Sequence, residues 1–237
     1  MLRHPKTLSP RVSSQQQPET RPLETIFMMS LRCLQLVLFV FLALACGANP
    51  ETVARAIISG DRPAVRKMLA EGANPDGRFG GDPLILIAGH KGRPEIILDL
   101  IVADAAVEAN NSGRTALVAA TQQNHPLCIS ALIQAGANVD AIGYGNTPLM
   151  FAAELGLAEI ATQLLEAKAE PDRQNGKGWT ATMLAAYHGK QRLLDLLIAG
   201  GADLNLRARN GVSALGYAYM KRRTDCAEIL KTAGAVK

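Results

Sequence analysis

Few side chains of this 237-residue chain could do covalent or metal chemistry, and their spacing does not bring them together. There are four histidines and four cysteines. His90 and His188 each follow a pair of small residues. No Ser, Cys or carboxylate recurs beside them at the separation that a nucleophile and its base require. No H-E-x-x-H and no C-x-x-C occurs, so neither a zinc hydrolase helix nor a dithiol redox turn is encoded. Gly176-Lys177-Gly178-Trp179-Thr180 resembles a phosphate-binding turn only in its Gly-Lys. The G-x-x-x-x-G-K-[S/T] frame is missing, and Asn175-Gly176 reads as a hairpin turn. These residues predict a protein that is not an enzyme, with no cofactor and no metal. An accessory enzyme subunit using His90, His188 and nearby carboxylates is the competing class, and stoichiometric metal in purified protein would favour it.

The elements that would hold any site recur along the chain. The segment Gly145-Asn146-Thr147-Pro148-Leu149-Met150-Phe151-Ala152-Ala153-Glu154-Leu155-Gly156 has counterparts throughout. Its Thr147 slot falls at Glu51, Pro83, Thr115, Thr147, Thr180 and Ser213, 32 or 33 residues apart. A fixed period of this length signals a stacked solenoid. Each copy encodes two helices and a turn. A hydroxyl at Thr115, Thr147, Thr180 or Ser213 can accept from an otherwise unpaired N–H at a helix start, and Pro148 suits the first helical position. Ala119-Ala120, Ala152-Ala153 and Ala185-Ala186 permit close helix approach, and Gly92, Gly156 and Gly189 permit a sharp turn. A second apolar helix follows, with Ile160, Leu164 and Leu165 in one copy and Leu193, Leu196 and Leu197 in another. Gly72-Ala73-Asn74, Gly136-Ala137-Asn138 and Gly201-Ala202-Asp203 end it.

These residues resemble the ankyrin repeat, whose pattern runs G-x-T-P-L-x-x-A-A-x-x-G and then L-L-x-x-G-A-x-x-N, and the resemblance covers residues 51–237. It implies an all-α solenoid of about six helix-turn-helix repeats with short projecting hairpin loops. The chain departs from the pattern at Pro83 in the capping slot, at Asp104 and Lys168 in the helix-ending Gly slot, and at Asn124 in the mid-repeat Gly slot. His125 occupies the pattern's Gly-His dipeptide, which implies a structural role. The resemblance further implies a monomeric, non-enzymatic module that binds a protein through loop tips and the concave ends of its first helices. Tip slots hold Phe79, Tyr144, Arg173, Lys177, Arg207 and Arg209. Concave slots include His90, Lys91, Arg114, Glu154, Leu155, Trp179, Tyr187, His188 and Met220. Tyr144, Leu155, Trp179, Tyr187 and His188 gather on the fourth and fifth repeats, and exposed aromatic and Arg side chains are the usual interface anchors. The basic tips Arg173, Lys177, Arg207 and Arg209 favour an acidic partner surface. Replacing Trp179 and Tyr144 together with alanine is expected to leave folding intact and abolish partner capture.

The front of the chain has a different character. Residues 1–27 are polar and without apolar periodicity, which reads as disorder or as an extension before the true start at Met28 or Met29. Residues 28–45 follow a basic start with a short apolar run and end in Ala43-Leu44-Ala45, the pattern of a secretory signal. Leu42-Ala43-Leu44-Ala45-Cys46-Gly47 resembles a bacterial lipobox, with residues 46–50 as the linker. Cys46 is then the lipidation residue and membrane tether of a periplasmic or outer-membrane lipoprotein. Secretion after ordinary cleavage, or retention as a membrane-anchored scaffold, are the alternatives. The mass of the mature N-terminus decides: free, unlipidated Cys46 rules out the tether. Exported bacterial proteins that the chain resembles include immunity proteins that occlude a toxic effector and envelope factors that support an oxidative-stress enzyme.

The formal net charge of +4 belongs mostly to the leader. Residues 46–172 carry 9 basic and 15 acidic residues, and residues 173–237 carry 11 and 4, so the repeats run from acidic to basic with almost no net charge. That balance gives no argument for nucleic-acid binding. Cys128 and Cys226 share an inward slot three repeats apart, nearly 30 Å at about 8–10 Å per helix layer, against a disulfide limit of about 7 Å. They are predicted to be unbonded buried hydrophobes, Cys226 the more reachable.

Overall fold

The computed structural model describes residues 48–236. The extension at 1–27, the leader at 28–45 and the lipidation residue Cys46 lie outside the described residues. Twelve helices in six pairs run through them: α1 (Pro50–Ser59) with α2 (Arg62–Ala70), α3 (Leu84–His90) with α4 (Pro94–Val102), and α5 (Ala116–Gln122) with α6 (Pro126–Gln134). They continue with α7 (Pro148–Leu155) and α8 (Ala158–Glu166), α9 (Ala181–His188) and α10 (Gln191–Ala199), and α11 (Ala214–Met220) and α12 (Thr224–Thr232). The odd-numbered helices form one layer, each packed on the next, and the even-numbered helices form a second layer in the same order. Two-residue strands make the early loops into hairpins: β1 (Arg78–Phe79) pairs antiparallel with β2 (Asp82–Pro83), and β3 (Asn110–Asn111) with β4 (Arg114–Thr115). Single bridges, Gly143 with Asn146 and Arg207 with Ser213, serve the same purpose later in the stack.

The caps explain why the helices start where they do. Thr115, Thr147, Thr180 and Ser213 each accept from the N–H three residues on, at 3.3 Å. Pro83 caps α3 with no side-chain bond. In the first repeat the cap is Asn49, two residues before the counted slot. Its side chain accepts from Glu51 N–H at 3.1 Å, and Glu51 lies inside a ten-residue α1. Helix ends need left-handed backbone, and at Asp104 (φ 65°), Lys168 (φ 69°) and Asn124 (φ 58°) a side chain bears that strain in place of glycine. Gly92 (φ 65°) must also be bare: a Cβ there would stand 2.6 Å from the His125 ring of the next repeat. The His125 ring thus lies against the bare Gly92 of the preceding repeat.

The core is continuous from Val53 to Ala235 and rich in Ala, Leu and Ile. Cys128 and Cys226 are free and buried within it, and Cys226, 1% exposed, is no more reachable than Cys128. Burial pushes the Cys128 thiol up to about 12, so neither packing nor ionisation favours reaction there. One core slot is out of character. Two residues after each cap stand Ile85, Leu117, Leu149 and Leu215, but Thr182 occupies that place in the fifth repeat, and its buried hydroxyl has no partner. Thr182→Val removes that orphaned group at nearly constant shape. It is expected to raise unfolding free energy by about 1 kcal/mol in urea titration.

Successive loops are joined by side-chain acceptors at the repeat period. Asp76 accepts from Ala106 N–H at 2.8 Å, Glu108 from Asn138 at 2.8 Å, and Asp140 from Glu170 at 3.2 Å. Asp172 accepts from Asp203 at 2.9 Å and Asn205 from Val236 at 2.8 Å. Burial pushes the Asp140 carboxyl above its ordinary value, with the nearby Glu170 charge adding to the rise and the Glu170 N–H and Arg173 opposing it. The folded state therefore holds this proton more tightly than the unfolded chain. The stability it contributes is present below pH 3.8 and is lost as pH rises through the folded value. Asp140→Asn keeps the acceptor, as Asn205 does natively. It is expected to raise the melting temperature at pH 7 and flatten its decline above pH 4, measured by thermal scans across pH.

Candidate functional site

The side chains predicted to bind a partner divide into those the fold gathers and those it spreads. Tyr144, Lys177, Trp179, Tyr187 and His188 line one open groove of roughly 480 Å³ with Asn146, Glu154, Asn175 and Leu184. The groove lies between the fourth and fifth loops, over the ends of α7 and α9. Asn175 is the residue that shapes it. Its side-chain oxygen accepts from Lys177 N–H at 2.9 Å and Trp179 N–H at 3.0 Å, and its amide donates to Asn146 at 2.8 Å. The Gly178 N–H closes the turn on the Asn175 carbonyl at 2.8 Å. The Gly-Lys segment is thus a turn wired to the preceding loop, as Asn175-Gly176 suggests. The sixth loop is tied on in the same way: Arg209 N–H donates to the Lys177 carbonyl at 3.1 Å, and Gln174 donates to the Arg207 carbonyl at 3.0 Å.

One wall is an aromatic stack. The Trp179 ring lies 4.2 Å from that of Tyr217 at 37° and meets Tyr187 edge-on at 5.2 Å. Tyr187 meets His188 edge-on at 5.0 Å, and the Lys221 ammonium sits 4.4 Å from the Tyr187 ring centre. Tyr217 is 2% exposed and anchors its hydroxyl on Asn210 at 3.0 Å. Trp179 and Tyr187 are half-buried against the core. Trp179 is therefore a wall of the groove and part of the fold at once, so its replacement is expected to cost stability as well as contact. Tyr144, on the opposite lip, is 64% exposed and free to be covered.

The remaining predicted residues stand apart from the groove. Leu155 and Met220 are exposed, and Phe79 is on β1, two repeats before Tyr144. Arg173 pairs with Glu170 at 3.2 Å, and Arg207 donates to the Gly211 carbonyl at 2.8 Å. Arg209, also on the sixth loop, is exposed. Sequence reasoning missed Tyr217 and Asn175 as the supports of this surface. Asn175 had a local signal, its place before Gly176, whereas the Trp179–Tyr217 stack depends on side-chain direction across two repeats. No group of three or more His, Cys, Asp or Glu able to hold a metal exists among the described residues, and no described helix is long and apolar enough to cross a membrane.

Comparison with known proteins agrees with this architecture. The family model for ankyrin repeats matches three times, at residues 53–143, 84–175 and 149–237. An ankyrin repeat domain from Acinetobacter baumannii superposes with a TM-score of 0.73 at 25% identity, covering 78% of this chain and 98% of that one. The mouse ankyrin repeat and SAM domain-containing protein 6 is 37% identical over 71 residues, 30% of this chain and 8% of its own length. The ankyrin repeat domain-containing protein SAT10 of Stachybotrys chartarum is 42% identical over 76 residues, 32% of this chain and 4% of its own length. The chain thus spans less than a tenth of these curated relatives.

Proposed function

The chain belongs to the ankyrin-repeat family, and from that premise we propose that it is an exported, non-enzymatic module that captures a protein partner with an acidic surface. The groove between the fourth and fifth loops carries the proposal. It combines exposed Tyr144 and the Trp179–Tyr187 wall with Lys177 at its rim. Rigid aromatic surface contributes contact area at little entropic loss, and rim cations steer an acidic partner. Arg173, Arg207 and Arg209 add further cations on the fifth and sixth loops. Export is proposed from the apolar run at 28–45, and tethering from Cys46.

The test is affinity capture from an envelope extract. The wild-type chain is expected to retain a defined protein that Tyr144→Ala with Lys177→Glu loses by tenfold or more, with both baits equally folded. Retention is expected to weaken between about 0.1 and 0.5 M salt. Equal capture by the two baits would dismiss the groove as the binding surface.

A further inference from the structure

The short turns that join the paired helices share a left-handed residue, at Gly60, Gly92, Asn124, Gly156, Gly189 and Arg222. Glycine bears that conformation freely and asparagine at little cost. The last turn instead uses an exposed arginine at φ 56°, with exposed Lys221 and Arg223 on either side. Three like charges in succession, one of them on strained backbone, oppose folding. Such an outlier points to a task for the side chain outside the fold. The two preceding turns bring more charge to the same edge. Lys190 lies across Gly156, where a Cβ would stand 3.0 Å from its Cδ, and Arg223 lies across Gly189, where a Cβ would stand 2.9 Å from its Cδ. The Lys221 ammonium is 4.4 Å from the Tyr187 ring centre. Among the described residues no ion pair engages Lys190, Lys221, Arg222 or Arg223. The carboxylates that follow them are occupied: Asp225 accepts from the Gln191 amide at 2.7 Å, and Glu228 pairs with Lys231 at 2.8 Å. Apolar side chains stand beside these cations. Met220, 65% exposed, immediately precedes Lys221, and Leu155, 46% exposed, immediately precedes Gly156.

We propose that this turn edge of the last three repeats docks on an anionic bilayer surface. Lys190, Lys221, Arg222 and Arg223 meet lipid phosphates, and Met220 and Leu155 enter the headgroup layer. The cations extend from the fourth turn to the sixth, roughly 16–20 Å at the spacing of packed helices. No single acidic side chain spans that distance, whereas a lipid surface presents its charge continuously. Apolar side chains set among cations suit the boundary between headgroups and acyl chains. The arginine in the last turn then has a reason to replace glycine: it trades backbone ease for one more charge at the edge. Docking of this kind depends on neither the groove nor Cys46.

The experiment is cosedimentation of the full chain with phosphatidylcholine vesicles, either pure or containing about 30% phosphatidylglycerol. The apolar run at 28–45 acts on both compositions, so the ratio of the two affinities is read. Wild type is expected to favour the anionic vesicles by about tenfold or more, and to lose that preference between about 0.1 and 0.5 M salt. Arg222→Gly is expected to reduce the preference by about fivefold while melting at the wild-type temperature or up to about 3 °C above it. Arg173→Gln with Arg209→Gln removes two charges from the loops and is expected to keep the preference. An Arg222→Gly chain that prefers anionic vesicles as strongly as wild type, or a loop variant that loses as much, overturns the proposal. Soluble polyglutamate that displaces the chain from anionic vesicles at matched charge would assign the cations to an acidic protein and overturn the bilayer.

Discussion

Gly89→Val is expected to lower the unfolding free energy by about 3 kcal/mol and the melting temperature by roughly 6–12 °C. Gly89 lies inside α3, where a Cβ would sit 2.7 Å from the carbonyl oxygen of Ala116 at the start of α5. The contact is with backbone, so no side chain can swing aside. Two effects oppose each other. Any residue other than Gly or Pro gains helix propensity, up to about 1 kcal/mol for Ala. Separating two packed helices costs about 1–3 kcal/mol for small overpacking. For Gly89→Ala these terms nearly balance, giving a loss of about 1 kcal/mol. Valine adds two methyl groups and keeps little of the propensity gain, so strain dominates. Urea titration of both variants checks the order; a Val variant as stable as wild type would mean that α3 and α5 are not in this contact.

Trp179→Ala is expected to lower stability by about 2–3 kcal/mol, because it strips the Tyr217 and Tyr187 rings of their packing partner. Tyr144→Ala, at a site 64% exposed, is expected to stay within about 0.5 kcal/mol of wild type. The contrast decides how the groove is to be tested. Loss of binding in the Trp179 variant would mix a damaged wall with a missing contact, whereas loss in the Tyr144 variant reports the contact alone. Near-UV circular dichroism at fixed temperature checks the first half: a Trp179→Ala domain with native stability would mean that the indole lies free of the stack.

What was legible in the chain was local. Thr115, Thr147, Thr180 and Ser213 each bond to an N–H three residues away, and that geometry is written in the residue types alone. Counting by 32 from Pro83 lands on Glu51, yet the cap is Asn49, because α1 begins earlier and runs longer than its counterparts. The Asn49-Pro50 pair is itself a helix start signal, and it outweighs the count. The aromatic groove was legible as a set of slots, since Tyr144, Trp179, Tyr187 and His188 converge as expected. How deeply each is sunk was not. Trp179 and Tyr144 are both aromatic residues near loop tips, but only one finds a buried tyrosine to lie on. The acidic residues Asp76, Glu108, Asp140 and Asp172 contribute to net charge in the sequence, and only the folded loops show that they accept backbone bonds.

Those loop-to-loop bonds also give the domain a grain. In each of these five bonds the acceptor belongs to the earlier repeat and the backbone donor to the later one, so each repeat presents unlike ends to its two neighbours. Such a unit is a cassette with polarity. A copy of residues 110–141 inserted at a junction in the same orientation brings the Asp140 carboxylate facing forward and the Asn138 N–H facing back, and it extends the stack without a mismatched seam. Growth, shortening and exchange of repeats can therefore proceed in whole units along one direction while the chemistry of each seam stays the same.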